Sequence, residues 1–186
     1  MNNTILKSIV VYCASSPGVN PVYRQVAEEV GMKLAKADIR LIYGGGGRGL
    51  MGIVADATLQ HGGAVTGIIP NFLADLEVAH KELTELYHVE TMHERKAKMV
   101  SMADGVITLP GGYGTLDELF EILAWRQLKI YHGPIGVLNT NGFYDHLLAH
   151  CDRMVADGFL KIENRNLIIV ADNIDELLTK MTESQL

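Results

Sequence analysis

No stretch of this chain stays apolar for the roughly 20 residues that a membrane-spanning helix requires. Met1 to Lys7 lack the basic start and apolar run of a secretory leader. Both absences set the expectation of a cytoplasmic protein that does not touch a membrane. Cysteine is scarce: Cys13 and Cys151 fall on separate elements and no CxxC occurs. That usage fits reduced, buried thiols rather than a disulfide framework or a catalytic cysteine. Basic residues are outnumbered, 16 Lys and Arg against 22 Asp and Glu, for a net charge of -6. A binder of nucleic acid or of anionic lipid is therefore not expected, although a local basic pocket is compatible with that balance. Repeats, linkers and low-complexity segments are also missing, so residues 1–186 read as one domain with a sizeable core.

What is present is a regular alternation. Ser8 to Ala14 is a continuous apolar run, as in a strand buried on both faces. A helix over Pro21 to Ala37, with proline at a permitted first-turn position, follows it. Further strands are expected at Leu41–Tyr43, Ala64–Ile69, Leu86–Glu90, Gly105–Leu109, Pro134–Leu138 and Leu167–Val170. Helices are expected at Leu50–Gln60, Thr91–Ala103, Thr115–Leu128, Phe143–Asp157 and Ile174–Met181, with Asn71–Leu83 a loop or short helix. This order predicts an α/β fold, a doubly wound parallel sheet with helices on both faces. Ligands of such sheets bind beyond the carboxyl ends of the strands. Ser15 and Ser16 and two glycine clusters fall there.

The first cluster, Gly44-Gly45-Gly46-Gly47-Arg48-Gly49, formally matches GxGxxG between a strand and a helix. The acid that a dinucleotide site wants about 20 residues on is missing, since the next strand ends Thr66-Gly67-Ile68-Ile69-Pro70. It is not a Walker A loop either, because no Gly-Lys-Ser/Thr follows. A tight turn is one reading; backbone approach to a ligand, by Gly45 and Gly46 among others, is the other and is favoured by the number of glycines. The second cluster, Gly111-Gly112-Tyr113-Gly114-Thr115, offers backbone N–H groups, a hydroxyl and a helix N-terminus, enough for one phosphate.

Two acids follow at once. Thr115-Leu116-Asp117-Glu118 has the spacing of a capping box, in which Glu118 would reach back to the Thr115 amide. The other reading places Glu118 in a site. At about 100° per residue Leu116, Phe120 and Leu123 share one side of this helix, and Glu118, Ile122 and Trp125 the other. A second subunit is expected to cover Ile122 and Trp125. In the helix before, Arg95 interrupts the apolar stripe of Met92, Met99, Met102 and Ala103, with Lys96 at its border. A snorkelling arginine would cover apolar surface; a guanidinium held in a site would grip a phosphate or nucleotide, and the adjacent Lys96 favours the second. His146 and His150 stand four apart without a third ligand, so no metal is expected.

Taken together, Pro110 to Glu118 resembles the PGGxGTxxE motif of the Lonely Guy (LOG) family, and Met92-His93-Glu94-Arg95-Lys96 its MHxRK motif. Gly44 to Gly52 is similar to its GGGxxGLMG, and Cys13 to Ser16 to the end of its first strand. The resemblance spans nearly the whole chain. It implies a Rossmann-like homodimer that uses no cofactor and splits a nucleoside 5'-monophosphate into free base and ribose 5-phosphate. The family's catalytic arginine and glutamate fall on Arg95 and Glu118, its phosphate loop on Gly111 to Thr115, and a substrate-contacting glutamate on Glu77. Asp117 stands where glutamate is common. Rival readings are a nucleotide or molybdenum-cofactor carrier, a pyridoxal-phosphate lysine decarboxylase and a nicotinamide oxidoreductase.

Overall fold

The computed structural model describes residues 6–74 and 78–184. Its elements run β1 (Ser8–Tyr12), α1 (Pro21–Lys36), β2 (Arg40–Tyr43), α2 (Gly49–Gln60), β3 (Val65–Pro70), α3 (Asn71–Ala74) and β4 (Glu85–Val89). They continue with α4 (Met92–Ser101), β5 (Gly105–Thr108), α5 (Tyr113–Gln127) and β6 (Ile135–Leu138). A 3-10 turn at Thr140–Gly142, α6 (Asp145–Ala156), α7 (Ile162–Arg165), β7 (Ile168–Ala171) and α8 (Ile174–Glu183) complete the order. All seven strands pair in parallel, in the order β4-β3-β2-β1-β5-β6-β7. The doubly wound parallel sheet expected from the alternation is therefore what the chain forms.

In the inner strands residues alternate between two cores, which explains why those strands read as largely apolar runs; the edge strand β4 is only half-buried. Ile9, Val11, Leu41 and Tyr43 join α1, α2 and α8 through Val30, Leu34, Val54, Leu177 and Met181. Val10, Tyr12, Ile42 and Val106 face the other way, toward Met99 of α4, Leu119 of α5 and Cys151 of α6. Local signals end the helices as chemistry suggests. Asn20 caps α1 by accepting from the Val22 N–H, and Pro21 takes the first helical position.

The winding changes direction once. From β1 the chain builds outward to β4, then crosses back to lay β5 against the bare side of β1. Connections on the two sides of the β1–β5 seam therefore diverge, and a crevice opens at its carboxyl end. No described helix is long and apolar enough to cross a membrane.

Candidate active site

The seam carries the two strands to the lip of the crevice in register. Tyr12 lies beside Thr108, the Leu109 N–H donates to the Tyr12 carbonyl (2.9 Å), and the Ala14 N–H to that of Pro110 (3.3 Å). Beyond this the chains part around a cleft of about 350 Å³. Cys13 to Ser16 form one wall and Gly112 to Thr115 the opposite one. Arg95 and Glu118 line it, together with an apolar set of Met51, Leu73 and Met92.

Arg95 reaches the cleft because of how α4 starts. Thr91 is its N-cap: the Thr91 hydroxyl accepts from the Glu94 N–H (3.1 Å), and the Glu94 carboxylate accepts from the N–H groups of Glu90 (2.8 Å) and Thr91 (3.4 Å). This capping box sets the helix so that Arg95 is only 4% exposed. Its Nε donates to the Ile68 carbonyl (3.1 Å) and its Nη2 to that of Gly44 (2.6 Å), at β3 and the end of β2. A Cβ on residue 44 would stand 2.1 Å from that Nη2. The first glycine of the quartet thus makes room for a guanidinium.

The second cluster opens α5, two residues earlier than expected. Gly112 is the N-cap and no side chain caps the helix. Thr115 is therefore the third helical residue rather than a cap, and Asp117 and Glu118 lie in the second turn. The capping-box reading of Glu118 falls on that geometry. The N–H groups of the first turn have no acceptor within the helix and point out of its positive end. A Cβ on Gly112 or Gly114 would meet nothing within 4 Å, so both face open space. Gly111 sits behind them, where a Cβ would strike the Thr115 hydroxyl at 2.1 Å. Thr115 is 4% exposed, and Tyr113, at 94%, stands at the cleft mouth.

Other expected residues are placed elsewhere. Ser15 lines the cleft, but Gly45 and Gly46 do not. Gly45 adopts a positive φ of 78° and accepts from the His80 N–H, and Gly46 bridges to Ala79. The quartet is thus spent on packing against Arg95 and residues 78–80. Lys96 is buried outside the lining, with Nζ 3.0 Å from Asp117 Oδ2 and 3.1 Å from Glu121 Oε1. Burial alone would lower its pKa, but the hydrogen bonds to Asp117 and Glu121 outweigh that and the net shift is upward. Glu77 lies outside the described residues. Ile122 and Trp125 correct the expectation of a covering subunit: Ile122 is 1% exposed and both pack into the core beneath α5. Beyond the first turn of α5 Phe120 is left open, because the helix is set down on its Leu119–Ile122 side. His146 and His150 are both exposed on α6.

Sequence reasoning missed the apolar half of the cleft. Met51 and Met92 belong to two of the glycine and arginine motifs, which was a usable signal; Leu73 carried none. Cys13 also lines the cleft, yet burial first and Glu118 second push its thiol pKa well up, with Arg95 opposing. That shift disfavours the thiolate, the form a cysteine nucleophile needs.

A family model described as "Possible lysine decarboxylase" matches residues 51–181. Over 94% of its length the chain is 44% identical to a cytokinin riboside 5'-monophosphate phosphoribohydrolase of Arabidopsis thaliana, covering 77% of that protein. Over 95% it is 45% identical to the LOG enzyme of the same description from Oryza sativa subsp. japonica, covering 73% of it. The chain belongs to the LOG family. Its likeness to solved structures extends further than its sequence. The molybdenum cofactor carrier protein of Chlamydomonas reinhardtii superposes with a TM-score of 0.68 at 14% identity, over 95% of this chain and 96% of that one. A molybdenum cofactor binding protein of Rippkaea orientalis gives 0.67 at 18%, over 95% and 94%. At those identities the likeness is one of fold. Within this LOG-family cleft no lysine appears among the described lining residues, so a pyridoxal-phosphate Schiff base, which the family model's description would require, does not fit.

Proposed function

We propose that this chain hydrolyses the N-glycosidic bond of adenosine 5'-monophosphate or an N6-substituted relative in the cytoplasm, releasing free base and ribose 5-phosphate. The observation that carries the reading is the convergence of Arg95, Glu118 and the uncapped start of α5 on one cleft. The amides of the α5 first turn and the Thr115 hydroxyl hold the 5'-phosphate, as a helix N-terminus holds an anion. Gly112 and Gly114 leave it room, and Gly111 gives the Thr115 side chain its place. That anchor fixes the ribose one helical turn further on, beside Glu118.

Breaking the bond between C1' and the base builds positive charge on the sugar, as in glycoside hydrolysis. The Glu118 carboxylate stabilises that charge and takes a proton from the attacking water, whose hydroxyl bonds to C1'; the bonding pair leaves with the base, which takes up one proton from solvent while Glu118 returns its proton to solvent. Arg95, held by two carbonyls, orients the nucleotide. Met51, Leu73 and Met92 supply an apolar seat for the base, with Ser15 and Tyr113 at the rim. Glu77 contacts the substrate on the resemblance alone. The apolar side chains left open on and just after α5, Phe120, Leu128 and Ile130, support a homodimer.

Glu118→Gln tests the assignment by base release followed chromatographically. Turnover of AMP is expected to fall by at least about 10³-fold, with nucleotide binding and thermal stability nearly unchanged. Near-wild-type turnover would remove Glu118 from the chemistry. Adenosine should be a far poorer substrate than AMP in wild type; equal rates would remove the phosphate anchor. Isopentenyl-AMP run beside AMP ranks the two bases.

A further inference from the structure

We propose that Lys96 is a positioning residue: its ammonium straps α4 to α5 and so fixes Arg95 and Glu118 relative to one another across the cleft. The inference rests on the catalytic reading above, and its test is built to separate the two.

The two helices are seated on different strands. α4 packs on β3 and β4, on the far side of the sheet's centre, whereas α5 packs on β1. Arg95 belongs to the first and Glu118 to the second, so the distance between them is not fixed by either helix alone. Lys96 is the residue after Arg95, and Asp117 the residue before Glu118. The Lys96 side chain is only 8% exposed, and its Nζ meets Asp117 and Glu121 at 3.0 and 3.1 Å. Those carboxylates stand four apart on one face of α5, so the ammonium grips the helix at two points. Both contacts lie off the axis of α5 on the same face, so together they add to the core packing of Leu119 and Ile122 in resisting rotation of that face away from α4. Glu118 projects about 100° around the helix from Asp117 and swings with any such turn. Side-chain tips lie about 5–6 Å from a helix axis. A rotation of about 10° therefore moves the carboxylate by about 1 Å, a displacement that costs a reaction on the order of 10²-fold.

The strap also accounts for two cleft-side facts. Lys96 directs its charge to protein carboxylates and is not part of the cleft lining. Asp117 and Glu121 give α5 local negative charge close to a helix start that favours anions, and the ammonium offsets it.

The test compares Lys96→Met, Lys96→Arg and the double variant Asp117→Asn/Glu121→Gln as full-length proteins. A strap predicts that K96M lowers kcat on AMP by about 10- to 100-fold while KM moves by less than about threefold. K96R should recover most of that loss, and the double variant should reproduce it, since it removes the other end of the same strap. A direct phosphate contact predicts the reverse: K96M raises KM with kcat kept, and the double variant leaves both unchanged. That result, or wild-type kcat in K96M, overturns the proposal. Hydrogen exchange supplies a readout that needs no activity. Amides of Leu116 to Glu121 should exchange faster in K96M and in the double variant than in wild type, with the β1–β5 amides unchanged. Unaltered exchange in both would overturn the strap. If wild-type protein releases no base from AMP, the catalytic reading fails, and the exchange data still decide the strap. Should K96M fail to fold, K96R and the double variant carry the comparison.

Discussion

Arg95 is a charged side chain at 4% exposure, and burying a guanidinium costs several kcal/mol unless its N–H groups find acceptors. The carbonyls of Ile68 and Gly44 are two such acceptors: Gly44 comes just after the end of β2, and Ile68 of β3 lies one residue beyond Gly67, the last that pairs with β2. The arginine was legible in the sequence because a cation interrupted an apolar stripe. The reason for Gly44 was not, since it lies in a contact 51 residues away. Gly114 offers a cleaner test of a glycine's purpose. Its missing side chain leaves open space toward the cleft, and it sits inside a helix. Gly114→Ala should therefore stabilise α5 by up to about 0.5–1 kcal/mol, raising Tm by a few degrees. In the same protein KM for AMP should rise by about fivefold or more, because the added methyl narrows the phosphate seat. A calorimetric scan and a KM measurement on one preparation check both; an unchanged KM would place the phosphate elsewhere.

Helix starts decided which acids were free for other work. A Thr-x-x-Glu spacing occurs near the start of both helices, Thr91 to Glu94 at the N-cap of α4 and Thr115 to Glu118 inside the first two turns of α5. Only the first is a capping box, because a glycine N-cap leaves no side-chain signature and α5 begins at Tyr113 without one. The faces of α5 were misjudged for a related reason. A helix lying flat on a sheet and beside a neighbouring helix buries a wide arc, so apolar residues on two sides need no second subunit. Ile122 and Trp125 face the core, and Phe120 faces out.

The strap between α4 and α5 carries a pH signature. Its ammonium stands above the ordinary value of 10.5, despite burial, owing to hydrogen bonds with Asp117 and Glu121. A raised folded-state pKa means the strap's stabilisation is fully present below about pH 10.5 and is lost as pH rises through the higher folded value. The urea midpoint of wild type minus that of K96M should stay level from about pH 6 to 10 and shrink above that. A difference that is flat through the alkaline range would show that the ammonium is not paired in solution.

At the scale of the whole molecule, the fold class was readable because short, mostly apolar runs alternate with helices, and strands buried on both faces admit little else; the edge strand β4, half-buried and mixed in composition, is the exception. The strand order was not readable: nothing local announces that Gly105 returns to lie beside Ile9. The homodimer belongs to this scale too. Sedimentation velocity at micromolar concentration should give twice the 20.4 kDa chain mass, and Phe120→Glu should shift the population toward monomer. A wild-type monomer would end that proposal.

The seam between β1 and β5 bears on how the protein comes into being. As the chain leaves the ribosome, β1 to β4 can pair among themselves, but the inner edge of β1 stays bare until residues beyond Gly105 emerge. One wall of the cleft follows β1 and the other follows β5, so the cleft is not assembled until those two strands pair. Pulse-labelled exchange should protect amides of the β1–β2 pair before those of the β1–β5 pair, with base release returning in step with the second. Between those moments the nascent half-sheet offers an open strand edge to any chaperone or to another copy of itself.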